Sequence, residues 1–82
     1  MADILYFGRL SDVTGKDSEK LDIPAAITDT AALRRWLDEE KSADGAFLDK
    51  SVRLAINNEI IVDPHPVSRS DEIAFMPPVG GG

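Results

Sequence analysis

Cysteine is absent from the 82 residues. That excludes disulfides, thiolate zinc sites, iron–sulfur ligation and a thiol nucleophile, so sulfur chemistry on this chain has no side-chain thiol to use. Histidine occurs once, at His65 between two prolines, and a lone loop imidazole has neither metal-ligand spacing nor a neighbouring nucleophile. No apolar run approaches the ~20 residues that span a bilayer. Met1-Ala2-Asp3 lacks the basic and apolar regions of a secretory signal, so a cytoplasmic protein is expected. Positive charge is scarce, with nine Lys and Arg against fifteen Asp and Glu and a net charge of −6. This balance disfavours nucleic acid and anionic membrane surfaces and suggests a partner with a basic face. No G-x-S-x-G nucleophile motif occurs. The carboxylate clusters Asp38-Glu39-Glu40 and Asp71-Glu72 read as a solvated helix end and a turn rather than as acid–base pairs.

What is present is an ordinary soluble composition, 43% apolar and 29% charged, enough for one small domain with a modest core. Ile4-Leu5-Tyr6-Phe7 is a short β-favouring run, with Ile4 and Tyr6 on one face and Leu5 and Phe7 on the other. Leu10 and Val13 lie three apart before Gly15, which predicts a helical turn or two over residues 9–14. Leu21 and Ile23 alternate with Lys20 and Asp22 as an inward-facing second strand, hairpin-like with the first, and Pro24 stops it. Ala32, Leu33, Trp36 and Leu37 recur at helical spacing after an N-cap at Thr28 or Asp29, which predicts the main helix over residues 30–41. Arg34, Arg35, Asp38 and Glu39 fall mainly on its opposite side, and Trp36 at this spacing reads as core. Ala46-Phe47-Leu48 adds a turn that covers the sheet edge. Val52, Leu54 and Ile56 alternate as a strand, Asn57-Asn58-Glu59 is turn chemistry, and Ile60-Ile61-Val62 returns. The last strand is 72–76. Strand, strand, helix and further strands predict an α+β fold: a mixed sheet of four or five strands with one main helix on one face, the β-grasp arrangement of ubiquitin. The first and last strands then lie side by side at its centre. There is no repeat and no internal boundary: the domain is 1–76 and a tail is 77–82.

The tail, Pro77-Pro78-Val79-Gly80-Gly81-Gly82, is the unusual stretch. Three glycines carry nothing to pack or titrate. They are not a phosphate loop, because no helix follows. What they leave is the terminal carboxylate of Gly82 on a thin stalk of roughly 20 Å when extended, stiffened at its base by prolines that cannot continue a ladder.

Over essentially its whole length the chain resembles the small-subunit family of molybdopterin synthases, ubiquitin-like sulfur carriers. The resemblance rests on Phe7-Gly8-Arg9-Leu10, Val13-Thr14-Gly15, Asp71-Glu72-Ile73-Ala74-Phe75 and, most specifically, Pro77-Pro78-Val79 before Gly81-Gly82. Gly80 and Ser70 depart from the residues usual in that family, away from the chemistry. The resemblance implies that an activating enzyme adenylates Gly82 with MgATP and that a thiocarboxylate replaces the adenylate. It implies next that residues 77–82 insert into the large synthase subunit, in a heterotetramer of two small and two large subunits. There the sulfur passes to cyclic pyranopterin monophosphate on the way to the molybdopterin dithiolene. The domain itself binds no cofactor or metal, and the catalytic side chains belong to its partners. If the helix covers Ile4, Tyr6, Ile73 and Phe75, then Phe7 and Met76 are left adjacent on the open face, joined by Ile60, as a partner interface. Other destinations for the same chemistry are thiamine thiazole synthesis, tRNA thiolation and capture of Gly82 by a lysine amine, as in a protein modifier. An inert scaffold is the remaining reading.

Overall fold

A computed structural model describes residues 1–76. Their elements are β1 (Ala2–Tyr6), α1 (Arg9–Thr14), β2 (Ser18–Leu21), α2 (Thr30–Glu40), a 3₁₀ turn (Ala46–Leu48), β3 (Arg53–Ile56), β4 (Glu59–Ile61) and β5 (Glu72–Met76). The five strands form one sheet in the order β2-β1-β5-β3-β4. β1 and β5 run parallel at its centre, with Ile4 opposite Ile73 and Tyr6 opposite Phe75, and the other pairs are antiparallel. The expected α+β β-grasp arrangement is the one found. The strands are displaced slightly from their predicted bounds: β1 begins at Ala2 and ends before Phe7, and β2 ends before Ile23.

Alternation sorts the two faces of the sheet. Ile4, Tyr6, Leu54, Ile56, Ile73 and Phe75 are buried on the side that receives α2, whose Leu33 and Leu37 are fully enclosed. Each such side chain contributes ~1.5–3 kcal/mol by leaving water. Asp29 caps α2, its side chain accepting from the Ala32 N–H at 2.8 Å. Gly15 ends α1 at φ 76°, a left-handed turn open to glycine without strain. Asn57 and Asn58 take φ 51° and 71° between β3 and β4, the conformation their short amide side chains tolerate. Asn57 also fastens the start of β5: it accepts from the Glu72 N–H at 3.0 Å and donates to Asp71 at 3.1 Å.

Four expectations change. Phe47 does not merely cover an edge but is fully buried. Its ring stands edge-on to Phe75 at 5.1 Å and to Tyr6 at 6.0 Å, filling the space between α2 and the sheet. Arg34 is not on the solvent side of α2 but buried. Its guanidinium donates to the carbonyls of Phe47 (3.0 Å), Asp49 (3.4 Å) and Val52 (2.6 Å). Its Nε lies 2.8 Å from Asp63 as an ion pair rather than an aligned hydrogen bond. Five donors in a rigid fork let arginine tie irregular backbone that no helix or sheet satisfies. Asp38 is not simply solvated, since it accepts from the Gly45 and Phe47 N–H groups at 3.0 and 3.1 Å and so starts the 3₁₀ turn. Trp36 is half-buried, packed on the margin of the core rather than within it.

A polar clamp joins β1, β2 and the end of α2. The Tyr6 hydroxyl donates to Glu19 at 2.6 Å, and Lys41 pairs with the same carboxylate oxygen at 2.6 Å. Burial pushes the Tyr6 hydroxyl far above its ordinary range, and the neighbouring Glu19 adds to the rise. Burial alone would raise the Glu19 carboxyl, but Lys41, Tyr6 and Lys16 outweigh it and hold it below the usual range. Glu19 therefore stabilises the fold above its unfolded value of roughly pH 4.3 and loses that contribution as pH falls through its folded value. Tyr6 works in the opposite sense: its share is full below roughly pH 10 and is lost as pH rises.

Urea unfolding across pH checks both signs. Glu19→Gln is expected to flatten the acid limb of stability and Tyr6→Phe the alkaline limb; limbs unchanged from wild type would contradict the assignment. Arg34→Ala, which orphans Asp63 and the carbonyls of Phe47 and Val52, is expected to cost about 3 kcal/mol. A loss under ~1 kcal/mol in the same titration would show that the guanidinium holds little.

Candidate functional site

The face of the sheet away from α2 is built by the alternate residues. Leu5 stands opposite Ala74, Ala74 opposite Ala55, and Ala55 opposite Ile60, so one register row crosses four strands with apolar side chains. The next row, toward the end of β5, sets Met76 opposite Arg53. Phe7 joins it from β1, its N–H donating to the Phe75 carbonyl at 3.1 Å. Phe7, Ile60 and Met76 thus line one shallow depression of about 320 Å³ with Leu5, Ala74 and Asn58. Phe7 is 48% exposed and Ile60 61% exposed, large apolar surfaces that no element of the domain covers. Phe7 and Met76, expected from alternation to share this face, and Ile60, expected to join them, are brought together.

Phe7 also belongs to a second, narrower cleft of about 120 Å³, lined by Leu10, Ala46 and Val52 with Arg9, Asp49 and Ser51. The Ser51 N–H and hydroxyl both donate to Asp49, at 2.9 and 2.7 Å. Those two bonds, with Arg9 and Arg34 nearby, hold the Asp49 carboxyl below its ordinary range. Nothing in local sequence marks this cleft, because it forms where the end of β1, α1 and the approach to β3 meet. Arg53 likewise escapes notice: its outward parity follows from Val52 and Leu54, but its place opposite Met76 depends on strand pairing. His65 stands apart from both depressions. Its backbone brackets Thr30, donating to the Thr30 hydroxyl at 3.0 Å and accepting from the Thr30 N–H at 2.9 Å.

The β1–β5 pairing gives the site its geometry. β5 is flanked on both sides by hydrogen-bonded strands, so the last described residue, Met76, is set in the middle of the sheet. Pro77, Pro78, Val79, Gly80, Gly81 and Gly82 lie outside the described residues. Among the described residues no helix is long and apolar enough to cross a membrane.

Comparison with known proteins agrees with this architecture. The model of the ThiS family matches residues 4–82. The chain is 30% identical to the molybdopterin synthase sulfur carrier subunit of Escherichia coli strain K12, covering all of both chains. It is 36% identical to the subunit of that name from Dictyostelium discoideum, covering 96% of this chain and 93% of that one. The crystal structure of SAMP1 from Haloferax volcanii superposes with a TM-score of 0.75 over 99% of this chain and 98% of that one, at 23% identity, which speaks for the fold alone. The chain belongs to the ThiS family of ubiquitin-like β-grasp proteins, among relatives that are sulfur carrier subunits of molybdopterin synthase.

Proposed function

We propose that this protein is the sulfur carrier subunit of a molybdopterin synthase, and that its reacting atom sits on the Gly82 carbonyl carbon rather than on a side chain. The observation that carries the reading is the central position of β5. A strand held on both flanks ends at Met76, immediately before Pro77 and Pro78, and the family match continues to Gly82. The lack of cysteine fits the same scheme: no internal thiol competes for an activated terminus.

The chemistry follows from the weakness of a carboxylate as an acyl electrophile, since its negative charge repels nucleophiles. In an adenylating partner a Gly82 carboxylate oxygen attacks the α-phosphorus of MgATP and pyrophosphate leaves. The resulting mixed anhydride has a neutral carbonyl and a good leaving group. The terminal sulfur of a donor persulfide then attacks that carbon and AMP departs; a thiol cleaves the acyl disulfide so formed, leaving a thiocarboxylate on Gly82 and a disulfide on the donor. Glycine has no Cβ, so residues 80–82 pass through a channel too narrow for other side chains. The large subunit of the synthase receives this tail, with two small and two large subunits in the assembly. There the thiocarboxylate delivers sulfur to cyclic pyranopterin monophosphate in building the dithiolene. The domain binds neither nucleotide nor metal of its own. It supplies the reacting atom and a handle, in the cytoplasm, while side chains of the partners do the catalysis.

The handle is the open face. Phe7, Ile60 and Met76 surround a depression that the domain leaves uncovered, and apolar patches of this kind anchor protein interfaces. Its occupant on this reading is the large subunit, because Phe7 and Met76 lie where β5 ends.

Two experiments test these statements. Removing Gly82, or adding one residue after it, is expected to abolish molybdopterin formation while the unfolding transition stays unchanged; undiminished product from either variant would refute the carrier role. Phe7→Asp and Ile60→Asp are each expected to weaken binding to the large subunit at least tenfold, about 1.4 kcal/mol, as read by calorimetry. Unchanged affinity in both would remove the open face from the interface.

A further inference from the structure

The cations of this acidic molecule are unevenly used. Lys16, Lys20, Arg34, Lys41 and Arg69 are paired with carboxylates. Arg9, Arg35, Lys50 and Arg53 are exposed and, among the described residues, lie within 4.0 Å of no carboxylate. Arg35 is on the outer side of α2. The other three surround the end of the sheet from which β5 leaves. Arg53 is the register partner of Met76. Arg9 opens α1 just beyond the end of β1, whose Tyr6 pairs with Phe75. Lys50 shares a depression of about 220 Å³ with Arg53. That depression and the narrow cleft beside Phe7 meet at Val52.

The charge sums there reverse the sign of the molecule. The linings of the two depressions hold the cations Arg9, Arg34, Lys50 and Arg53 against the carboxylates Asp49 and Asp63, a local charge of +2 in a chain of −6. At the opposite end of β5 stand Asp71 and Glu72, with Asp3 in register beside Glu72 and Glu59 across from Ile56. Lys20 is the cation paired with Asp3 there. Carboxylates thus gather where β5 starts, with Arg69 near them, and the unpaired cations gather where it ends, with Asp12 and Asp17 beyond the end of β1. The positive end also stands on fixed backbone. Arg34 ties the carbonyls of Phe47, Asp49 and Val52, of which Asp49 precedes Lys50 and Val52 precedes Arg53. Asp63 neutralises Arg34 itself, which leaves Arg9, Lys50 and Arg53 to face outward.

We infer that Arg9, Lys50 and Arg53 form a docking collar around the root of the tail, and that it receives an acidic rim on the large subunit at the mouth of the channel that admits residues 77–82. This rests on the sulfur-carrier reading above. Three cations on two separate segments, α1 and the stretch that leads into β3, call for several anionic side chains. The chain's own end offers a single carboxylate and does not match them. A protein whose unpaired cations gather at one end is turned by an acidic rim so that this end arrives first. Such steering acts on the association rate more than on dissociation, raises it by roughly ten- to a thousandfold, and fades as salt screens it. The apolar groove of Phe7, Ile60 and Met76 holds the complex; the collar sets how it is approached.

Stopped-flow association of the protein with its large subunit tests this, from about 20 mM to about 500 mM NaCl. The double variant Lys50→Glu/Arg53→Glu is expected to associate roughly tenfold more slowly at low salt, with little change in dissociation, and to match wild type at high salt. Arg35→Glu, equal in charge per substitution but on the far side of α2, is expected to change the rate less than about twofold. Matching urea midpoints establish that the exposed substitutions leave the fold intact. Association of the double variant at the wild-type rate would remove the collar and leave the carrier reading standing. Faster association would also overturn it, showing that these cations hold the chain's own terminus instead. Failure of the wild-type chain to associate at all would overturn the carrier reading and the collar together.

Discussion

The parallel pairing of the first strand with the last is the constraint on which the molecule depends. Ile4 against Ile73 and Tyr6 against Phe75 bring the two ends of the described chain to the centre of the sheet. The connection between them carries α2, which covers one face of the sheet and completes the core. With β3 on its other flank, β5 cannot fray as an edge strand would, so its final residue is fixed in space. A tail that begins there inherits a defined origin. The same pairing commits the chain to two different faces, because alternation along β1 and β5 sends Ile4, Tyr6, Ile73 and Phe75 under the helix and Leu5, Phe7, Ala74 and Met76 away from it.

This division separates stability from contact. The helix side holds the core of the fold: the aromatic cluster of Tyr6, Phe47 and Phe75, the aliphatic residues of α2, and two polar ties beneath the surface. One tie is Glu19 between Tyr6 and Lys41, which stitches the hairpin to the end of the helix. The other is Arg34, which gives the irregular backbone before β3 the partners that regular secondary structure would have supplied. The open face is under no such demand and is free to carry exposed Phe7 and Ile60. Because both ties lie away from the open face, substitutions there are expected to report on association without disturbing the fold.

Much of this was legible in the sequence, and the reasons it was or was not are physical. Period-two alternation in β1, β3 and β5 and the spacing of Leu33 and Leu37 depend only on neighbours along the chain, and they set the strands, the helix and the faces correctly. Asp29, Gly15 and the Asn57-Asn58 pair were readable because caps and tight turns impose strict local chemistry. Arg34 was misplaced because helical spacing locates a side chain on a wheel without revealing what the rest of the chain puts in front of it. Its acceptors lie 13 to 18 residues away, on backbone with no periodic signal. Asp38 and Phe47 were under-read for the same reason, each being explained by the other across a loop. Within the candidate site, Phe7 and Met76 followed from parity, and Ile60 from its place just past the turn. Arg53 opposite Met76 did not, since it requires knowing which strand lies beside β5.

A domain whose interior is devoted to holding one strand in place, and whose side chains offer no thiol, makes sense as a mount for its own terminus. Intact-mass spectrometry with fragmentation tests that claim most directly, on protein incubated with its adenylating enzyme, MgATP and a sulfur source. The account predicts a gain of about 16 Da, one oxygen exchanged for sulfur, located on Gly82. Sulfur found on any other residue, or a terminus that stays a carboxylate while the enzyme converts ATP to AMP in its presence, would contradict it.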